Sequence, residues 1–201
     1  MKENVYISHY ATIEAERISV DGQEVYQLSE AASFAAFAKG AYQHFSLAYP
    51  KFFKMDALSK LAILGAECLL NEGDQQGDIA VILANKSSSL DTDIRHQESI
   101  ASPLAFYPSP AVFVYTLANI CLGEISIKHR LQSENAFFIA PDYPVALMHT
   151  YANYLLQTQK AQKVLCGWVE YYQETYKLVF YLVEHRGTRE HHITEIQKII
   201  N

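Results

Sequence analysis

The strongest constraint on this chain is a run with no polar break, Ile79-Ala-Val-Ile-Leu-Ala84, which follows Asp78. A half-exposed strand alternates apolar and polar residues. An unbroken aliphatic run of this length therefore reads as a strand buried on both faces, with a layer of structure on each side. The rest of the chain supplies both more strands and the layers. Val5–Tyr10, Asn135–Ala140, Lys163–Glu170 and Lys177–Glu184 are further β-type runs rich in branched and aromatic residues. Between them lie stretches of helical spacing. The clearest places Leu58, Leu61, Ala62, Gly65, Cys68 and Leu69 on one face. Strands alternating with helices predict a layered α/β fold with a mixed sheet. Strands are expected near 5–10, 78–84, 136–140, 163–169 and 177–184, and helices near 56–70, 111–123 and 145–158.

Local signals sharpen this reading. Asp21-Gly22 inside Ile18–Tyr26 marks a hairpin turn. The Ala- and Phe-rich segment from Ser29 to Phe45 reads as mostly helical, with Gly40 a candidate break. Asp56 is an N-cap, because its carboxylate accepts from the free N–H groups of a first turn. Gly65 sits inside that helix at a cost of about 1 kcal/mol against Ala, which close packing on a strand would explain. Asn71-Glu-Gly73 ends the helix. Asn85 to Ser102 is polar and reads as loop with one short helix, and 194–200 as a short terminal helix.

The 201 residues fit one domain, 1–201, with a sizeable core. Charged residues make up 19%, below the usual share of about 25%; a larger core or a surface covered by another chain explains this equally well. The formal net charge of −6, with no basic stripe, argues against nucleic acid. Cys68, Cys121 and Cys166 are far apart and odd in number, which suits buried thiols in a reducing, cytoplasmic compartment. No signal-peptide core is expected at the N-terminus, and no apolar stretch reaches the roughly 18 residues of a membrane span.

Self-contained catalytic motifs are missing: there is no G-x-G-x-x-G, G-x-x-x-x-G-K-[ST], G-x-S-x-G or H-E-x-x-H. Lys86-Ser-Ser-Ser89 follows a strand but lacks the glycines of a phosphate loop. His185, His191 and His192 supply no third metal ligand at a defined spacing, so solvated histidines are expected and no metal. Asp91, Asp93 and Glu98 read as solvated loop charges.

One ordered series of segments carries more. Asn119-x-x-x-Gly123 is followed by Ile125-Ser-Ile127, Leu131, the strand Asn135-Ala-Phe-Phe-Ile-Ala140, the helix Val145–Leu156 and the strand Lys163-Val-Leu-Cys-Gly167. This order and spacing resemble the N-terminal half of β-ketoacyl synthases, in the thiolase-like superfamily. Upstream, Lys54-Met-Asp56 resembles the family's Lys-Met-Asp segment, and Asp78–Ala84 the strand that there reads like Arg-Ile-Gly-Val-Val-Ile-Gly. Pro103–Pro110 takes the place of the loop before the Asn-x-x-x-Gly helix. The resemblance covers most of residues 5–184. Without gaps, Asp142 falls on the nucleophilic cysteine, Ser133-Glu134 on the Gly-Pro turn, Val145 on the glycine closing the elbow, and Cys166-Gly167-Trp168 on Ala-Gly-Gly.

The resemblance implies a thiolase-like half domain without the family's catalysis. Condensation needs a thiolate to carry the acyl chain. Asp142 cannot form that thioester, and the decarboxylation histidines belong to the family's C-terminal half. No catalytic residue and no cofactor are expected. Asp142 instead suits a helix N-terminus electrostatically. Short ketosynthase-like proteins of this kind, without the nucleophilic cysteine, resemble those of aryl polyene and flexirubin-type pathways, and the chain-length factor, a full-length relative that also lacks it, pairs with an active ketosynthase. The implied function is an accessory or interaction subunit in fatty acid or polyketide-type biosynthesis. The partner is a second copy or a full-length ketosynthase, and an acyl carrier protein is a further candidate, although this acidic chain shows no basic dock for it. The expected interface is Ala136, Phe137, Phe138, Ile139 and Ala140, with Phe138→Lys as its probe. Two alternatives stand beside this: a module binding an acyl or polyene ligand at Asp142 and Tyr143, or a thioester hydrolase with Asp142 as base.

Overall fold

The computed structural model describes residues 4–28, 33–70, 78–104 and 106–201. The chain begins with β1 (Tyr6–Glu14) and the hairpin β2 (Arg17–Val20) and β3 (Gln23–Gln27). Then come α1 (Phe34–His44), a tight turn of 3-10 helix (Pro50–Lys54), α2 (Ala57–Glu67), β4 (Ile79–Asn85), α3 (Leu90–Ile100), α4 (Pro110–Val114) and α5 (Ile120–His129). The second half runs β5 (Asn135–Ile139), α6 (Val145–Gln157), β6 (Lys163–Tyr172), β7 (Thr175–Glu184), β8 (Arg189–Glu190) and α7 (Ile193–Ile200). The strands form a single mixed sheet in the order β3-β2-β1-β7-β6-β4-β5, with β8 pairing the start of β1. β4 runs parallel to both β5 and β6, and the remaining pairs are antiparallel.

All seven residues of β4 are buried, as its unbroken run requires. Ile79, Val81 and Leu83 face one layer, formed by α1, α2 and α5. Ala80, Ile82 and Ala84 face the other, covered by Met148, Ala152, Leu155 and Leu156 of α6 and by Ile196 and Ile199 of α7. The expected strands and the helices at 56–70 and 145–158 are all present. The turn at Asp21-Gly22 takes positive φ at both residues (52° and 82°), the geometry of a tight hairpin. Asp56 caps α2: Ser59 N–H donates to Oδ1 at 2.9 Å, and the Thr92 hydroxyl donates to Oδ2 at 3.1 Å. Gly65 has its expected cause. A Cβ there would lie 2.5 and 2.8 Å from the two methyls of Leu178 and 2.9 Å from the Phe180 ring on β7.

Several expectations need correction. The helix expected over 111–123 is split into α4 and α5. The Thr116 carbonyl accepts from Ser89 Oγ at 2.5 Å, and the Thr116 hydroxyl turns back to Phe113 O at 2.7 Å, so the chain leaves the helix before Asn119 restarts it. The polar segment after Asn85 is mostly one helix, α3, rather than loop. Gly40 does not break α1. Most importantly, the strand expected at 136–140 is present as β5 but is only half-buried along its length, with Asn135 and Ile139 exposed. Among the described residues it lies at the edge, paired with β4 alone, and Ile139 is 55% exposed. The helix end expected at 71–73 lies outside the described residues.

Candidate functional site

Asp142 follows β5 on the turn into α6. It is exposed, and among the described residues it makes no hydrogen bond. The residue capping α6 is Pro144, which offers no side-chain cap. Asp142 lies just ahead of the α6 N-terminus without capping it, and it lacks the dry setting that a hydrolytic base needs. Asp142 instead stands at the rim of a cleft of about 400 Å³ with Tyr143, Val145, Trp168, Lys177 and Val179. Gln197 and Ile200 of α7 close its far wall. This volume lies within the range of small-molecule sites, about 300–1,000 Å³. Aromatic and aliphatic walls carry one carboxylate and one ammonium at the rim, and the Lys177 ammonium donates to the Ile200 carbonyl at 3.0 Å.

Behind the cleft runs a buried polar chain. The Tyr143 hydroxyl donates to the Tyr181 hydroxyl at 2.9 Å. Tyr181 is fully buried, and burial pushes both phenols well above the usual tyrosine range. Cys166 neighbours the Tyr181 hydroxyl inside β6, and burial drives its thiol up, so it cannot stand in as a nucleophile. Cys121 is likewise buried and raised, and Cys68 is pushed up to about 12, chiefly by burial. All three cysteines are free.

The second feature is the open edge of β5. Val81 N–H donates to Glu134 O at 3.1 Å, and Ala140 N–H donates to Asn85 O at 2.9 Å. Strand alternation then turns the backbone groups of Ala136 and Phe138 toward β4, and those of Asn135, Phe137 and Ile139 outward. The side chain of Phe138 packs against Tyr151 of α6 at 6.2 Å, which leaves Ile139 as the forward apolar residue of the edge. Ile139 also lines a groove of about 470 Å³ with Phe137, Leu117, Leu122, Ala118 and Thr116. Leu117, Phe113 and Val114, on or beside α4, are exposed as well. Beyond the strand, Glu134 is tied by the Tyr151 hydroxyl and lies 3.8 Å from Lys160.

The other sequence candidates resolve into structural roles. The amides of Lys86 and Ser87 do converge on an oxygen, but it is Glu170 Oε2, at 2.7 and 3.2 Å. The chain thus fills its own anion nest. Asp91 accepts from Gln173 N–H at 3.1 Å and Asp93 faces Ser89, both in the first turn of α3. Among the described residues no group of three or more His, Cys, Asp and Glu could hold a metal ion. His191 is not a solvated tail residue but is 4% exposed, joined to Asn153 and His149 of α6. The sequence reading missed Lys177, Gln197, His149 and Asn153, which reach their places only through packing of separate elements. Trp168, which by the spacing of the resemblance stands where ketosynthases carry a glycine, builds the cleft wall.

No family model matches this sequence, and no curated protein matches it. Solved structures do share its architecture. The chain is similar to the ishigamide ketosynthase/chain length factor, with 17% identity and a TM-score of 0.67 over 90% of this chain and 62% of that one. It is also similar to a structure of a ketosynthase in complex with its chain length factor from Xenorhabdus doucetiae, at 14% identity and TM-score 0.60, covering 92% and 80%. A β-ketoacyl synthase from Burkholderia phymatum STM815 gives 11% and 0.58, covering 98% and 61%. The chain thus has the mixed α/β, thiolase-like ketosynthase fold over 62% of the length of the first of these. Among the described residues no helix is long and apolar enough to cross a membrane.

Proposed function

We propose that this chain is a non-catalytic, ketosynthase-like accessory subunit. It pairs edge to edge through β5 with a second chain of the same fold, either its own copy or a full-length ketosynthase. The pathway class is fatty acid or polyketide-type synthesis, with aryl polyene pigments as the specific case suggested by the sequence resemblance. The observation that carries this reading is the open, uncharged edge Ala136–Ala140 beside an apolar groove. Natural proteins blunt free edges with charge, proline or cover, and this one has none of these within the strand. The neighbouring folds include a ketosynthase described in complex with its chain length factor, which supports a partner of the same architecture. Asp142 at the nucleophile position supports a role without condensation.

The test is strand addition itself. Ile139→Lys puts a charge on an exposed position at the edge and leaves the β4–β5 ladder intact. By light scattering and sedimentation, the wild type should form a dimer alone or when mixed with a ketosynthase encoded beside it. Ile139→Lys should weaken that pair at least about tenfold while keeping the wild-type melting temperature. A wild type that stays monomeric in both settings sinks the proposal.

The cleft supports a second reading, in which an acyl or polyene ligand sits between Tyr143 and Trp168. Recovery of a bound chromophore or lipid by mass spectrometry of the native protein would favour it.

A further inference from the structure

Independently of pairing through β5, the second face of the sheet carries a device of its own. Its cover is thin: α6 on one side and the eight residues of α7 on the other. α7 buries only Ile196 and Ile199 fully. Its remaining attachments are polar and few. His191, just ahead of the helix, donates its N–H to Val5 O at 2.9 Å. Its ring Nδ1 lies 3.0 Å from Asn153 Oδ1, and its carbonyl lies 3.2 Å from His149 Nε2. The far end is held by Lys177 on Ile200 O.

The proton arrangement of this latch is tightly constrained. Asn153 has one oxygen and one NH₂ to offer. Its oxygen faces His191 Nδ1, so that nitrogen carries a proton. Its NH₂ faces His149 Nε2 at 3.0 Å, a nitrogen that also lies 3.2 Å from the His191 carbonyl. His191 Nε2 then holds no proton, and it is buried without a hydrogen-bond partner. Adding a proton there creates a buried N–H with no acceptor, beside a second imidazole whose ring centre is 5.0 Å away. The other groups around the ring offer no relief. Tyr181 on β7 presents its ring at 6.0 Å, and the Val5 carbonyl, just ahead of β1, is already taken by the His191 backbone N–H. His192 caps α7, Glu195 is engaged by Lys198 at 2.5 Å, and Arg189 on β8 lies over Tyr10 with Glu190 beside it.

We propose that α7 is an acid-releasable strap over the cleft beside Asp142, latched by the His149–Asn153–His191 cluster. The closed latch accepts only neutral His191. The open state frees that ring to take a proton from water. Burial, with the His149 ring as a second cause, lowers His191 in the closed state to about 3, from an ordinary value of 6.5. The sign follows: the folded value is depressed, so the closed state is fully favoured above pH 6.5 and loses ground as pH falls toward 3. One proton taken up on opening raises the open-to-closed ratio about tenfold per pH unit through that window.

Two readouts test this. Trp168 is the sole tryptophan of the chain and lines the cleft that Gln197 and Ile200 close, so acrylamide quenching reports on the strap directly. Hydrogen-exchange protection factors of the 193–200 amides report its opening. Between pH 6.5 and 4.5 the wild type should lose about tenfold protection in α7 per pH unit and gain Trp168 quenching, with an unchanged far-UV circular dichroism spectrum. His191→Gln, which keeps an amide for Asn153 and does not titrate, should flatten that slope. Asn153→Asp supplies a carboxylate partner for charged His191, and should move the transition to lower pH even if the glutamine variant folds poorly. A slope retained in His191→Gln, an Asn153→Asp transition that fails to move down, or α7 protection that stays flat until the whole protein unfolds would each overturn the proposal.

Discussion

Gly65→Ala is a substitution whose sign the structure decides against local propensity. On an isolated helix the change is favourable by about 1 kcal/mol, because Ala gives up less backbone freedom than Gly. In α2 the added methyl would sit 2.5 Å from one Leu178 methyl, 2.8 Å from the other and 2.9 Å from Phe180 Cδ2. Leu178 and Phe180 are both 0% exposed, on a strand held by β1 and β6 on its two sides. The methyl cannot be relieved by swinging a side chain into solvent, so α2 must lift or both side chains must leave their rotamers. Overpacking of this kind costs about 1–3 kcal/mol, and the larger figure applies where two fully buried neighbours must move. The net expectation is a loss of about 1–2 kcal/mol, or about 2–8 °C in Tm for a chain of this size. Urea denaturation of Gly65→Ala, Leu178→Val and the double variant measures it. Relief of the clash should make the double variant more stable than additivity predicts by about 0.5 kcal/mol or more. A Gly65→Ala protein that is more stable than wild type, with additive behaviour in the double variant, would refute the argument.

Two further outcomes follow from single contacts. Burial pushes the Asp56 carboxyl up even though it caps α2, so its charge is the costly part of the group. Asp56→Asn keeps an oxygen for Ser59 N–H and should leave stability within about 1 kcal/mol of wild type, whereas Asp56→Ala should lose about 1–2 kcal/mol with the cap, by urea titration. Glu170→Ala should leave the Lys86 and Ser87 amides to water, costing about 1 kcal/mol and lowering exchange protection in the turn after β4 more than elsewhere.

The resemblance to β-ketoacyl synthases anticipated the fold that the solved structures share with this chain. Asp142 and Tyr143, placed only by counting from Asn119, stand at the rim of one cleft. Yet the same count said nothing of the other side of that cleft. Lys177, Gln197 and Ile200 come from a strand and a helix that a local pattern cannot assign to it. His191, which no metal-ligand spacing in the sequence singles out, suits a solvated histidine, yet it is 4% exposed. Its ring partner is Asn153, thirty-eight residues away.

The sequence by itself determined which segments become strands and which become helices. Periodicity is a property of neighbouring residues, and so are the cap at Asp56 and the turn at Asp21-Gly22. Only the tertiary structure decided the strand order. β4 and β5 are both apolar runs and look alike as sequence, but one has neighbours on both sides and the other has one. The difference lies in long-range pairing: β6 returns to lie parallel to β4 on the side away from β5, and that placement leaves β5 open. The physical reason is that burying a side chain and pairing a backbone edge are separate requirements. Composition meets the first wherever the strand sits in the sheet. The second is settled by whichever strand comes to lie alongside, and for β5 that neighbour is missing from the described residues.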